Sequence, residues 1–250
     1  MGKSLRNIRA LVVRDLADAA RNLTVLMSCV AGALLTAFVG TIIAGSSQLG
    51  GDEAAAFAAV TALSVVPAFS GTVVELYVMA EEREHGVHLT LAEAGVTVPE
   101  LAFSKWFAAT CVTLVTEMAS FALLGYAPLE VAGFVLFAAM AAQPLLLIGL
   151  ACGLLAREQM SSSVLAVPIT LIAVAPMLSF LSGTIRAFTW FWPLGPAAEL
   201  LGASLGMAPM APVPALVVCA AAWTIAAGVF ARWACRRFAA ELAAERERRL

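Results

Sequence analysis

The residue types that could do chemistry gather in one stretch, Glu81-Glu82-Arg83-Glu84-His85-Gly86-Val87-His88, which holds both histidines of the chain. His85-x-x-His88 beside Glu84 has the donors of a metal site but not the HExxH order that puts two histidines and a base on one helix face. No metal ligation is expected. Ser70 and Ser182 each precede a glycine, yet neither lies in a GxSxG elbow and no histidine falls at their depth to activate them. Gly2-Lys3-Ser4 ends like a phosphate-binding loop but lacks the preceding strand and glycines, so no nucleotide site is expected here. Cys29, Cys111, Cys152, Cys219 and Cys235 sit in or beside apolar runs without paired spacing and read as packing residues. With no catalytic cluster at one depth, the chain is expected not to be an enzyme and to hold no cofactor of its own.

Two further acids interrupt apolar sequence. Glu75 stands near one end of its run, where it can reach lipid headgroups. Glu117 lies twelve residues past Lys105, about 18 Å along a helix rising ~1.5 Å per residue. That is close to the midplane of a ~30 Å hydrocarbon core. Gln143 falls at a similar height, and no Lys or Arg is available there. Glu117 is therefore either neutral and hydrogen-bonded, with Gln143 as a partner, or it faces an aqueous or intersubunit cavity. A translocation path and a polar clasp between helices are the two readings.

The elements that must position these residues are apolar helices. The chain is 62% hydrophobic and 13% charged, against roughly 45–50% and 25% for a soluble domain. Its net charge of -2 gives no sign of a nucleic-acid partner. Uncharged runs cover 22–51, 54–74, 131–156, 159–185 and 200–231, and 106–129 is broken only by Glu117. Each reaches the ~20 residues a helix needs to span a bilayer. The expected spans are 23–44, 57–79, 105–126, 131–156, 161–182 and 213–235, with Pro168 and Pro176 as kink points in the fifth. Threading the N-terminus inside puts fourteen of the fifteen Lys and Arg residues on the cytoplasmic side, leaving Arg186 outside. The positive-inside bias thus orients both termini inward.

Residues 1–22 repeat Leu5, Ile8, Val12, Leu16 and Ala19 on one helical face, with Arg6, Arg14, Asp15, Asp18 and Arg21 on the others. This segment is too long and too charged for a signal peptide and is expected to lie in the inner interface. A short outer loop, 45–53, separates the first two spans. Segment 183–212 is assigned to the outside yet carries Phe188, Trp190, Phe191, Trp192, Pro193 and Pro196. Its aromatics suit headgroup level, and its breaks suit short re-entrant helices; an aromatic belt anchoring the sixth span is the other reading. Gly149-x-x-x-Gly153 is a close-packing pattern. The tail 236–250 is basic. Together these give an all-α integral membrane protein in a single domain, with six transmembrane helices, an amphipathic N-terminal helix and re-entrant outer pieces.

The cytoplasmic loop 80–104 has a charged helix end, a glycine break, a short helix, a proline turn at Pro99 and then Lys105. It reads as a docking element or as an ordinary connector. Here the sequence resembles the ABC type-2 permease family, which carries E-[RK]-E-x-G-T after its second span. Glu82, Arg83, Glu84 and Gly86 match, Pro99 and Lys105 match in placement, and Val87 departs from the family's threonine. Phe191-Trp192-Pro193-Leu194 is similar to the family's outer proline motif. The resemblance implies a half-transporter in a bacterial cell membrane. It would pair with a second permease, identical or homologous, and with two ATPase subunits that use ATP and Mg. The exported substrate would be a drug, peptide or lipid-like molecule. Glu82, Arg83, Glu84, Gly86, His88 and Pro99 would form the coupling contact, Glu117 and Gln143 would line the path, and Trp190, Trp192 and Pro193 would shape the outer segment. A proton-coupled transporter using Glu117, or a non-transporting membrane anchor or immunity protein, is the alternative.

Overall fold

A computed structural model describes residues 2–44 and 51–249, and it is helical throughout with no strand among them. In order it has α1 (Gly2–Arg21), α2 (Leu23–Ala44), α3 (Gly51–Val66), a π-helical turn (Pro67–Thr72), α4 (Val73–Glu84), α5 (Val87–Glu93) and α6 (Val98–Leu123). Then follow α7 (Pro128–Ala141), α8 (Gln143–Leu155), α9 (Gln159–Leu178), a 3-10 turn (Ser179–Leu181), α10 (Gly183–Thr189), α11 (Gly195–Ser204) and α12 (Val213–Arg249). Residues 45–50 of the expected outer loop lie outside the described residues.

Five of these helices are long and apolar enough to cross a membrane: Leu23–Ile42, Glu53–Glu84, Val98–Leu123, Met160–Leu181 and Val213–Arg248. A multi-pass, all-α membrane protein follows from them. The stretch expected to be one fourth span is instead two helices, Glu130–Ala141 and Gln143–Leu155, bent by 46°. The cause is Pro144 in the first turn of α8. It has no N–H to give to the carbonyl of Met140, and its ring would collide with that carbonyl. The ladder restarts at Ala142, whose carbonyl accepts from the N–H of Leu145 and of Leu146.

The second span is the axle of the bundle. Its apolar window is 89% buried, against 28% for α2 and 11% for α12. The outward side chains of α2 (Met27, Val30, Phe38) and α12 (Val218, Ile225, Val229) are therefore the surface for lipid or another apolar partner. The axle runs from Gly51 to Glu84 without a break in helicity, longer at both ends than the expected 57–79. The π turn widens it in the middle, where the Val73 N–H bonds five residues back to Ala68. The Thr72 hydroxyl donates to the Pro67 carbonyl at 2.8 Å. Small residues let neighbours close on this turn. A Cβ on Gly71 would meet Leu146 and, at 2.7 Å, Thr113, and one on Gly149 would meet Thr72. Gly149-x-x-x-Gly153 is thus the α8 face packed on the axle.

Two helices extend past the expected spans, and the expected fifth span is one helix. Helix α6 begins at Val98, not 105, because Thr97 and Glu100 form a capping box and Pro99 sits in the first turn, where its missing N–H costs nothing. Helix α12 does not end at 235 but runs on to Arg249, so the basic tail is a helical extension. Helix α9 passes through Pro168 and Pro176 as one element.

Candidate functional site

The charged residues converge at one end of the bundle, where α1, α4, α5, α6 and the far half of α12 meet. Because α6 starts early, Lys105 lies two turns inside it and is only 6% exposed. Its ammonium sits 3.0 Å from Asp15 Oδ1 and 2.7 Å from Glu82 Oε1. Arg14 reaches the same two oxygens at 2.7 and 3.0 Å, and the Ser104 hydroxyl donates to the other oxygen of Asp15 at 2.8 Å. Burial works against the Arg14 guanidinium, yet its bond to Asp15 and the nearby acids Glu82 and Asp18 raise its pKa above the ordinary value. Asp15, expected on a solvated face of α1, is buried and ties α1 to α6. Its position four residues after Leu11, itself buried, was the available signal. The amphipathic segment is therefore stapled to the bundle as well as apolar-faced, with Leu5 and Val13 left exposed.

Arg83 makes the second tie. It donates to the carbonyls of Leu154 and Ala156 at the end of α8 at 3.0 and 3.2 Å, and to Glu241 on α12 at 2.7 Å. Its guanidinium also stands 5.1 Å from the Phe238 ring. His88 is buried against the same ring, edge-on at 5.2 Å between centroids, with Nε2 3.3 Å from Glu82 Oε2. Gly86 links α4 to α5 at φ 69°, in the left-handed region that a Cβ disfavours. So of the stretch singled out in the sequence, Glu82, Arg83 and His88 face inward and brace α5. Glu84, His85, Thr90 and Glu93 face outward, and Pro99 is exposed at the start of α6. Sequence reasoning missed the partners Asp15, Phe238 and Glu241, because they come from distant segments.

Glu117 is fully buried, and neither carboxylate oxygen has a hydrogen-bond partner among the described residues. It does not pair with Gln143. The Gln143 carbonyl accepts from the Trp106 indole at 2.8 Å and its amide donates to the Ala139 carbonyl at 2.7 Å. The hydroxyls of Thr36 on α2, Ser64 on α3 and Thr113 on α6 are buried without partners as well. Glu75, expected to reach headgroups, is instead 4% exposed inside the helix packing, both oxygens also unpartnered.

The opposite end has its own lock. Arg186, the one cation threaded outside, grips Glu199 through Nε at 2.7 Å and Nη2 at 2.6 Å and the Ala208 carbonyl at 2.8 Å. Glu199 also accepts from the N–H of Met210 at 2.9 Å. This pair folds α10 and α11 together across the turn Trp190-Phe191-Trp192-Pro193. Trp190 and Trp192 are half-buried and Pro193 is buried. The Trp223 indole of α12 donates to the Phe191 carbonyl at 2.6 Å. Gly195 has no room for a Cβ, which would strike the Thr189 and Trp190 backbone. Among the described residues no group of His, Cys, Asp and Glu side chains is arranged to hold a metal ion. No protein-family model matches the chain, and no curated protein matches its sequence.

Proposed function

We propose that this chain is the permease subunit of an ATP-driven exporter, paired with a second permease, identical or homologous, and driven by two separate ATPase subunits. The observation that carries the reading is α5. It is a short helix set off from the axle by left-handed Gly86 and braced from behind by His88, Phe238, Glu82 and Arg83. A load applied to its outer face passes through these contacts into α4, α8 and α12, as a coupling element requires. The resemblance of 82–86 to the type-2 permease pattern supports the same reading. The end bearing α5 then faces the cytoplasm with both termini. The bent α7–α8 pair serves as the fourth span, and α10 and α11 form the re-entrant outer segment. The substrate is a drug, peptide or lipid-like molecule. A proton-coupled transporter is the second reading, favoured by the unpartnered carboxyl of Glu117.

The internal pairing of Glu82 and Arg83 moves the expected docking contact to the outward residues. Reversing Glu84 and Glu93 to Lys should abolish the ATPase activity that copurifies with the chain from its native membrane, while leaving its melting temperature unchanged. Copurifying, substrate-stimulated ATPase that is indifferent to the double reversal would count against docking through α5. Transport that persists with no ATPase present would favour the proton-coupled reading.

A further inference from the structure

The geometry points to Glu75 as a proton-exchange site, served through a cavity from the charged end of the bundle. A cavity of about 50 Å³ lies between α1, α2, α4 and α6, walled by Ala19, Val25, Val74, Val78 and Ala108. The polar groups at its wall are Asp15, Asp18, Asn22, Glu75 and Lys105. Both oxygens of Asp15 and the ammonium of Lys105 are already taken up in the ion cluster. Glu75 is the wall residue with a buried carboxyl whose two oxygens have no partner. Such a group is costly unless water or a proton satisfies it.

The cavity has the room. A water needs roughly 10–15 Å³ of such space and two to four polar partners, and the two free oxygens of Glu75 and the Asn22 side chain border it. It also adjoins a second cavity of about 100 Å³, with which it shares Asn22, Val25, Val74 and Val78 and which continues to Glu81. Glu81 and Asp18 are both exposed, so each of the two neighbouring cavities has an acid of the protein surface in its wall. The charged groups facing Glu75 across the cavity are Asp15 and Asp18 from α1 and Lys105 from α6. From α8 it is Gly149 that closes on the carboxyl, where a Cβ would stand 3.0 Å from Oε2. Loading transfers one proton from a hydronium to the Glu75 carboxylate and leaves one water in the cavity. Since Lys105 and Glu75 share that cavity, the loaded state removes a negative charge from the surroundings of the cluster that holds α1. The site is separate from Glu117, and the inference stands whichever driving force operates.

Infrared spectroscopy of the protein in lipid nanodiscs tests this. The carboxylic-acid carbonyl band should contain a component that Glu75→Gln removes, Glu117→Gln leaves in place and Glu75→Asp shifts. That component should decline about tenfold per pH unit above its titration point, followed across the pH range in which the protein stays folded. It should also shift promptly in heavy water, and Ala19→Leu, which narrows the cavity from half-buried α1, should slow that shift several-fold. A Glu75 component absent at every pH, or present and unchanged across the range, would overturn the assignment. An exchange rate untouched by Ala19→Leu would overturn the route.

Discussion

The two kinds of buried charge in this protein sit on the same helix and are treated in opposite ways. Lys105, near the start of α6, gives two hydrogen bonds, to Asp15 and Glu82, which are themselves shared with Arg14, Ser104 and His88. Glu117, three turns farther along, has nothing. Paired charges tie together the elements they join, and this network joins α1, α4 and α6, although the second oxygen of Glu82 and both ring nitrogens of His88 have no hydrogen-bond partner among the described residues. A buried polar group left without partners contributes no stability, so its retention needs a reason outside folding. The difference separates structural polarity from polarity held in reserve for function. The Arg186–Glu199 lock at the opposite end belongs with the first kind.

Breaking the satisfied side should have the largest effect. Lys105→Met leaves Asp15 and Glu82 with only partly exposed Arg14 for a cation, and uncompensated buried charge of this sort costs about 3–5 kcal/mol. Thermal unfolding in nanodiscs should show that loss, and adding Asp15→Asn should restore part of it. An unaltered melting temperature would mean the cluster is not a unit. At the other end, Glu199→Gln weakens a bidentate pair and should cost about 2 kcal/mol. The change should appear as faster proteolysis between α10 and α11, with α1 unaffected. Gly86→Ala is milder. Nothing stands within 4 Å of the added Cβ, so only the left-handed backbone resists, at about 1 kcal/mol. Its signature should be altered coupling through α5 with near-normal stability.

The all-helical class and its apolar spans were legible because a run of some twenty apolar residues has few alternatives in lipid. Gly86 was legible because a glycine after a charged helix end announces a left-handed stop. The bend at Ala142 was also written in the sequence, in Pro144, but lay inside an uninterrupted apolar run that read as one span. What could not be read were side-chain pairings across sequence distance. Glu82 and Glu84 look alike in the chain, yet one faces Lys105 and the other solvent, because a helix of 3.6 residues per turn points them to different sides. Gln143 shares the height of Glu117, but depth alone does not fix azimuth, and the indole of Trp106 claims it. The length of α12 was not legible for a similar reason. Its charged end stays helical where Glu241 and Phe238 find Arg83 and His88.

The contrast between Lys105 and Glu117 can be tested in one melting experiment. Glu117→Gln replaces an unpartnered acid by a neutral group of the same shape, whereas Lys105→Met unpairs two acids. Measured side by side in nanodiscs, the Gln variant should melt at or above the parent while the Met variant melts far below it. A Glu117→Gln protein destabilised as much as Lys105→Met would show that Glu117 is held by partners after all, and the division between structural and functional charge would fall.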